Sequence, residues 1–322
     1  MKENFWDKLK KPIFVLAPMA DVTDVSFRRV IAKYGKPDVM WTEFVSADGL
    51  VRATPEGKKK LLKDLEYSEG ERPIVAQLFS ANPEYMFEAA KLVKELGFDG
   101  LDINMGCPDK GVEKQGAGAA LMKNSKLARE IIRSAKNGFD GPVSVKTRIG
   151  YNKDELDVWL PEILKEGVSL VTIHARTRKE MSDVPANWER VKRAVEIRNE
   201  YAPETLIFGN GDVAGVDDAR KKCEEFGCDG VMLGRAIFGN PWLFMKNPPT
   251  DGPTTEEKLK VLVEHSKLYD ELITGFKSFS VMKKHFKAYV NGFDGAVDLR
   301  KKLMETNNSS EVEMMVNDFL KK

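Results

Sequence analysis

The stretch Gly100-Leu-Asp-Ile-Asn-Met-Gly-Cys-Pro-Asp109 is the part of the chain that best indicates the fold. Its first half is a short apolar segment typical of a buried strand, and it changes abruptly into a turn at Gly106 and Pro108. Parallel α/β folds place ligands and chemistry at the carboxyl ends of their strands. An isolated cysteine is more often a small buried hydrophobe. Because Gly106 and Pro108 restrict the backbone instead of filling a core, they favour a functional interpretation of Cys107.

Similar apolar or β-branched segments recur along the chain, and most are followed by a longer amphipathic segment. The predicted strands cover residues 14–19, 39–43, 74–79, 100–105, 143–148, 169–175, 205–210 and 230–237. Predicted helices include residues 83–96, 121–136, 154–166, 188–199 and 216–226. This alternation predicts a (β/α)8 TIM barrel, with an open doubly wound sheet as the alternative. The Gly116-Ala-Gly118 segment does not indicate a dinucleotide fold, because Leu121 occupies the position of the third glycine.

The last quarter of the chain has a different pattern. Asn247-Pro-Pro-Thr-Asp-Gly-Pro253 is a cluster of helix and strand breakers, and only helical periodicity follows it. We therefore predict a barrel domain over residues 1–245 and a small C-terminal helical domain over residues 246–322.

Charge is balanced overall but uneven along the chain. The 322 residues carry 51 Lys and Arg against 50 Asp and Glu, so the net charge does not indicate nucleic-acid binding. Between residues 277 and 302, basic side chains outnumber the acidic Asp294 and Asp298. These basic residues are Lys277, Lys283, Lys284, Lys287, Arg300, Lys301 and Lys302. Such a run is usually a solvated helix face, and phosphate binding is the alternative.

The cysteine content and the apolar segments indicate a cytoplasmic protein. Three cysteines form no disulfide framework, and Cys223 and Cys228 lack further ligands nearby for zinc or an iron–sulfur cluster, so we expect no metal. The apolar run 13–17 is too short for a signal peptide, and no stretch approaches the roughly 18 residues of a membrane span.

Several predicted strands end in polar residues that a barrel would bring to one rim. Gln77 ends the third strand, Asn104 and Cys107 follow the fourth, Lys146-Thr-Arg148 ends the fifth, and His174-Ala-Arg176 ends the sixth. Each is weak evidence alone, since a histidine in such a place is as often part of a core. Their shared placement matters because catalytic groups in this architecture come from the ends of several strands.

The last two strands end in Gly209-Asn-Gly-Asp212 and Gly234-Arg235. Glycines at these positions allow backbone N–H groups to approach a phosphate, and Arg235 can add charge-assisted hydrogen bonds. The sequence thus predicts a phosphate-bearing cofactor. A lysine at the barrel mouth, Lys146, needs an electron-rich partner, which the N1–C2 region of a flavin would supply.

Further segments complete a recognisable pattern. They are Leu16-Ala-Pro-Met-Ala-Asp-Val-Thr-Asp24 with Phe27-Arg28, Gln115-Gly-Ala-Gly118, Val145-Lys-Thr-Arg148, His174-Ala-Arg-Thr-Arg178, Leu233-Gly-Arg235, and Lys283-Lys-His285 with Asp298-Leu-Arg300. Together with Asp102-Ile-Asn-Met-Gly-Cys-Pro108, they resemble the motifs of the tRNA-dihydrouridine synthase family from about residue 13 to residue 304.

This resemblance implies a flavoenzyme that binds FMN on a (β/α)8 barrel and reduces a uridine of tRNA to 5,6-dihydrouridine with NADPH as electron donor. It implies that the FMN-binding residues are Pro18, Met19, Ala20, Gln77, Lys146, His174, Asn210, Gly211, Asp212, Gly234 and Arg235. Cys107 would be the general acid, and Asn104, Arg148 and Arg176 would line the uridine pocket. Lys283, Lys284 and Lys287 would bind tRNA phosphates, and we expect a monomer.

One loop departs from the family pattern, which commonly has Tyr-x-Gly before Ala-Asp-Trp. Ser182, Val184 and Ala186-Asn-Trp188 stand there instead, so the position of the substrate could differ. Three other functions remain open at this point. They are an FMN barrel that reduces a free small molecule, such as a dihydroorotate dehydrogenase or an ene-reductase, a phosphate-binding isomerase without flavin, and a non-catalytic tRNA-binding protein.

Overall fold

Eight parallel strands form one closed sheet in the computed structural model, which describes residues 4–247 and 252–321. The strands are β1 (Ile13–Leu16), β2 (Met40–Ser46), β3 (Ile74–Phe79), β4 (Gly100–Met105), β5 (Val143–Arg148), β6 (Leu170–His174), β7 (Leu206–Asn210) and β8 (Gly230–Leu233). Their spatial order is β1-β8-β7-β6-β5-β4-β3-β2, and a parallel bridge between Val15 and Val39 joins the two edges. The predicted (β/α)8 TIM barrel is confirmed.

The strands lie where the apolar segments predict them, with differences at some ends. β3, β4 and β5 have the predicted bounds, whereas β2 continues to Ser46. β1 and β8 end earlier than predicted. Pro18 has no N–H with which to extend the β1 ladder, and Gly234 leaves the strand region at φ −113° and ψ −98°.

Helices follow most strands and cover the outside of the barrel. They are α1 (Val25–Tyr34), α2 (Ala47–Arg52), α3 (Pro55–Asp64), α4 (Pro83–Glu95), α5 (Lys110–Lys114), α6 (Ser125–Gly138), α7 (Leu156–Leu164), α8 (Glu189–Tyr201) and α9 (Val216–Phe226). The prediction did not specify α1, α2, α3 or α5. It also began α6 too early, because Asn124 caps this helix by accepting a hydrogen bond from Leu127 N.

The barrel interior is apolar at its amino-terminal end. The 3-10 segment Phe5–Lys8 places Trp6 there, 4% exposed, with its ring centroid 5.7 Å from Phe208 and 6.0 Å from Trp41. Apolar side chains therefore fill the barrel interior at this end.

The last quarter of the described chain is helical, as predicted. It contains α10 (Thr255–Leu272), α11 (Lys283–Tyr289), α12 (Ala296–Leu303) and α13 (Ser309–Leu320). These helices form an apolar core to which α1 contributes Val25 and Val30. Part of the predicted linker, residues 248–251, lies outside the described residues, and the domain boundary at residue 245 stays a prediction.

An ionic cluster attaches the helical region to the barrel. The Lys277 ammonium lies 3.0 Å from Glu43 Oε2, 2.9 Å from Asp64 Oδ1 and 3.7 Å from Asp21 Oδ1. Glu43 is 4% exposed and also accepts a hydrogen bond from the backbone N–H of Asp21. The cluster therefore ties the segment that follows β1 to the C-terminal helices.

No helix in the described part of the chain is long and apolar enough to cross a membrane.

We expect Lys277→Met to lower the free energy of unfolding by about 1–3 kcal/mol above neutral pH, because Glu43 would stay buried without its cation. Burial raises the pKa of Glu43 to about 7. In acid, Glu43 is protonated and the loss should be smaller. In the wild-type protein the raised pKa favours folding at low pH, and this contribution is lost as the pH rises through about 7.

Urea unfolding of both proteins on either side of pH 7 measures this difference. Lys33→Met is the matched control, because the Lys33–Glu264 pair joins α1 to α10 at 2.7 Å but its lysine is 58% exposed. We expect this control to lose less than about 1 kcal/mol. Equal losses in the two variants at every pH would contradict the role of the cluster.

Candidate active site

A cavity of about 440 Å³ opens at the carboxyl ends of β1, β5, β6, β7 and β8. Most of the cofactor residues expected from the sequence line it: Pro18, Met19, Lys146, His174, Asn210, Gly211, Asp212, Gly234 and Arg235. Arg176, Ser182, Val213 and Ala214 also contribute. The strand ends are far apart in sequence, and the closed barrel brings them together.

Cationic groups predominate at this cavity. Asp212 supplies a carboxylate, but it is already bound to Arg176 and to Arg235, whose Nη2 lies 2.8 Å from Asp212 Oδ1. The hydrogen bond from Arg176 holds the pKa of Asp212 below its usual value. With Lys146 added, the cavity has a net positive charge and suits an anionic ligand such as a phosphate.

The backbone between β7 and the cavity is held in an uncommon conformation. Gly211 has φ 122°, and a β-carbon there would lie 2.9 Å from the Cβ of Ala186. Asp212 has φ 49°. The indole of Trp188 packs on Gly209, where a β-carbon would lie 2.2 Å from Cζ3, and its N–H donates to Gly211 O at 2.9 Å. Both glycines are therefore required for this turn.

Lys146 and His174 lie at the cavity floor. Within residues 4–247 and 252–321, the Lys146 ammonium has one long hydrogen bond, of 3.5 Å, to Asn210 Oδ1. Burial and the nearby Arg148 guanidinium lower the pKa of Lys146 to about 8. Burial and the Lys146 charge lower the pKa of His174 to about 2, so this imidazole is neutral. A buried ammonium with so little compensation favours an electron-rich ligand beside it.

Cys107 lines a second cavity, of about 740 Å³, at the same rim. The other residues that line it are Ala20, Phe44, Pro108, Asp109, Lys110, Val112, Arg178 and Met181. Ala20 directly follows Met19, which lines the first cavity, so the segment after β1 borders both. Of the expected cofactor residues, Ala20 therefore lies on the side of Cys107.

The turn that carries Cys107 is tightly fixed. Asn104 Oδ1 accepts hydrogen bonds from the backbone N–H groups of Gly106, at 3.1 Å, and Cys107, at 2.9 Å. A β-carbon at Gly118 would lie 2.8 Å from Cys107 O, so only glycine fits. Burial raises the pKa of the Cys107 thiol, and the charge of Asp109 adds to this. The thiol is therefore protonated at neutral pH.

Several of the expected site residues are buried and already engaged within the protein, among them Gln77, Asn104 and Arg148. The Gln77 amide binds Asp102 and Asn104, at 2.6 and 3.0 Å. Arg148 is 6% exposed, and its guanidinium donates to the carbonyl oxygens of Gly106, Thr177 and Met181. Arg148 and Asn104 thus hold the loops around Cys107, and a direct contact of either with uridine stays a prediction.

The sequence interpretation missed several side chains at the Cys107 cavity, among them Phe44 and Met181. Phe44 lies within β2, but the strand was predicted to end one residue before it. Met181 lies in the loop after β6 with φ 51° and is 40% exposed. Phe44 directly follows the predicted strand 39–43 and could have been found by extending that strand. No local pattern indicates Met181.

The three lysines predicted to bind tRNA lie on α11, at the C-terminal region. Lys284 Nζ is 3.4 Å from Asp21 Oδ2, close to the segment that borders both cavities. Lys287 is exposed. Among the described residues, no group of three or more His, Cys, Asp or Glu side chains could hold a metal ion.

Comparisons with known proteins identify the family of the chain. The model of the family described as "Dihydrouridine synthase (Dus)" matches residues 15–322. The chain is 43% identical to "Probable tRNA-dihydrouridine synthase 2" of Bacillus subtilis (strain 168), over 100% of this chain and 98% of that protein. It is 40% identical to "Probable tRNA-dihydrouridine synthase" of Staphylococcus aureus (strain COL), over 99% and 96%.

Two solved structures share the fold at 13% sequence identity. They are a histamine dehydrogenase from Rhizobium sp. 4-9, with a TM-score of 0.51 over 80% of this chain and 49% of that one, and a 2-naphthoyl-CoA reductase, with a TM-score of 0.54 over 72% and 49%. They support the barrel assignment alone. The family model and the two bacterial relatives cover nearly all of the chain, which therefore belongs to the dihydrouridine synthase family of enzymes.

Proposed function

We propose that this protein reduces a uridine of tRNA to 5,6-dihydrouridine, with FMN as the bound cofactor and NADPH as the electron donor. The observation that carries the proposal is the pairing of two cavities on one barrel rim. One is cationic and suits a phosphate-bearing cofactor, and the other holds a protonated thiol at Cys107. A substrate base held between the two cavities would contact both the cofactor and the Cys107 thiol.

FMN fits the first cavity by charge and by backbone shape. Arg235 and the backbone around Gly211 and Gly234 would bind its phosphate. A β-carbon at Gly234 would have no neighbouring atom closer than 3.9 Å, so the space beside this backbone is open to a ligand. Lys146 would bind the electron-rich edge of the isoalloxazine ring and so obtain the compensation it lacks within the protein. His174, being neutral, can accept or donate a hydrogen bond without adding charge.

The C5–C6 double bond of uracil is electron-poor because it is conjugated with the C4 carbonyl. When bound and reduced, the flavin supplies the hydride that C6 accepts. Cys107 would hold a proton at Sγ and deliver it to C5, and burial, which raises the thiol pKa, favours the protonated form. Phe44 and Met181 would provide apolar walls that keep water away from the base.

A tRNA substrate explains the basic C-terminal helices better than a free small molecule does. The target base must leave its stack to reach the barrel rim, and lysines on α11 would hold the flanking phosphates. The Lys284–Asp21 contact places α11 beside the segment that borders both cavities. Since tRNA is modified in the cytoplasm of bacteria, we propose that the protein acts there, as a monomer.

We expect Arg235→Ala to weaken FMN binding by about 1.5–3 kcal/mol, because it removes a charge-assisted phosphate contact. Dialysis of the yellow protein followed by absorbance of the retained flavin measures this. Arg220→Ala, on the outer wall at α9, is the matched control and should retain FMN as the wild type does. Full retention by Arg235→Ala would remove this residue from the phosphate site.

We expect Cys107→Ala to leave FMN binding and flavin reduction by NADPH near normal, because neither uses the proton on Sγ. Oxidation of the reduced flavin by unmodified tRNA should slow by roughly 10²–10⁴-fold, the usual contribution of a positioned general acid. Cys107→Ser should be nearly as slow, since an alcohol is a much weaker acid. Anaerobic stopped-flow absorbance separates the two half-reactions, and wild-type reoxidation in Cys107→Ala would exclude the acid role.

We expect the triple variant Lys283→Ala, Lys284→Ala and Lys287→Ala to bind tRNA more weakly. Its log Kd should depend less steeply on log salt concentration, by up to about 0.9 for each duplex phosphate that the variant no longer neutralises. Filter binding at several salt concentrations measures both effects, and flavin reduction by NADPH should not change. The control is the triple variant Lys91→Ala, Lys94→Ala and Lys126→Ala, which removes the same number of charges from exposed lysines elsewhere. If both triple variants bind tRNA as the wild type does, the α11 lysines merely face solvent.

A further inference from the structure

Cys223 and Cys228 lie together at the amino-terminal end of the barrel, opposite the rim that carries Cys107. Cys223 is in the last turn of α9, and Cys228 precedes Gly230, the first residue of β8. Their sulfur atoms are 3.7 Å apart and hydrogen-bonded to each other. Both side chains are buried, at 8% and 5% exposure. Neither residue takes part in the proposed reaction.

The turn between them can bring the sulfurs closer. A disulfide requires a separation of about 2.05 Å, so the gap to close is less than about 2 Å. Gly227 has φ 70° and ends α9, and its N–H donates to Cys223 O at 2.9 Å. A β-carbon at Gly227 would meet nothing within 4 Å, so this turn has open space around it. A small movement of this turn at Gly227 therefore meets no neighbouring atom.

Both cysteines can be reached from outside. They line a cavity of about 290 Å³ together with Lys11, Pro12, Arg220, Glu224 and Asp229. A small reagent can occupy this volume, whereas a protein-sized partner cannot.

The surroundings of Cys228 favour its thiolate form. Hydrogen bonds from the Cys223 thiol, and from the backbone N–H of Gly209, lower the pKa of Cys228. Burial raises the pKa of Cys107 instead. Since the thiolate is the reactive form, Cys228 should react before Cys107 with an electrophilic sulfur.

We infer that Cys223 and Cys228 are a thiol–disulfide modification site, which closes reversibly when a low-molecular-weight disulfide enters their cavity. The Cys228 thiolate attacks one sulfur of that disulfide, forming a mixed disulfide and releasing the first small thiol. The Cys223 sulfur then attacks Cys228 Sγ, which breaks the mixed disulfide and releases the second. Two electrons and two protons pass to the small disulfide, which is reduced as the cysteine pair is oxidised.

The ring that this bond closes is short, spanning residues 223–228. A short ring restricts the unfolded chain little, so the bond gains little stability from chain entropy. We therefore expect reduction by an ordinary dithiol to reverse it.

Peptide mapping of the FMN-bound protein tests this inference. Cleavage after Lys222 and Arg235 places both cysteines on one tryptic peptide. After anaerobic treatment with 2-hydroxyethyl disulfide and alkylation with iodoacetamide, this peptide should lack alkyl groups and be lighter than the reduced peptide by two hydrogens. The Cys107 peptide should be alkylated. Dithiothreitol added before alkylation should restore two alkyl groups to the 223–235 peptide.

Two single variants and one control identify the roles. Cys223→Ser should stop at a hydroxyethylthio adduct on Cys228, whereas Cys228→Ser should form the adduct on Cys223 at least tenfold more slowly. Cys107→Ala removes the third thiol and should still form the internal disulfide. Full alkylation of both cysteines after oxidant treatment, preferential oxidation of Cys107, or a disulfide between two chains would each overturn the inference.

Discussion

A chain of buried hydrogen bonds crosses the top of the barrel interior, and the geometry of the rim depends on it. Asp102 on β4 accepts from the Gln77 amide of β3 at 2.6 Å and from the Ser144 hydroxyl of β5 at 2.5 Å. Gln77 accepts in turn from Asn104, which holds the backbone N–H of Cys107. Burial raises the pKa of Asp102 to about 6. A buried polar side chain left without a hydrogen-bond partner would destabilise the folded protein. The network therefore stabilises one arrangement of the three strands and of the turn that carries Cys107.

The arginines near the rim have different tasks, which their contacts define. Arg148 holds two loops by donating hydrogen bonds to their carbonyl oxygens, so its guanidinium stabilises the backbone around Cys107. Arg176 donates to Val184 O at 2.5 Å and pairs with Asp212, which joins the loop after β6 to the turn after β7. Arg235 is 70% exposed and so remains available to a phosphate. In the proposed reaction, Arg148 and Arg176 would hold the loops of the site, and Arg235 would bind the cofactor.

The barrel and the C-terminal helices are coupled through the segment after β1. α1 contributes Val25 and Val30 to the core of the C-terminal helices, and Asp21 forms ion pairs with both Lys277 and Lys284. Met19 and Ala20, which border the two cavities, directly precede this contact. A tRNA held by α11 would therefore sit at a set position relative to Cys107, because the segment that contacts α11 also lines the Cys107 cavity.

Local sequence alone determined the strands, the helical tail and the residues at the strand ends, because periodicity and turn residues act over a few neighbours. The resemblance to the family motifs further predicted which of those strand ends form one site. Only the tertiary structure decided which polar groups are already paired. Lys277 and Glu43 are 234 positions apart, and the contacts of Arg148 likewise come from other loops. Met181 lines its cavity through a backbone conformation that no local pattern indicates. Such pairings depend on how the barrel closes, and the sequence near each residue does not contain that information.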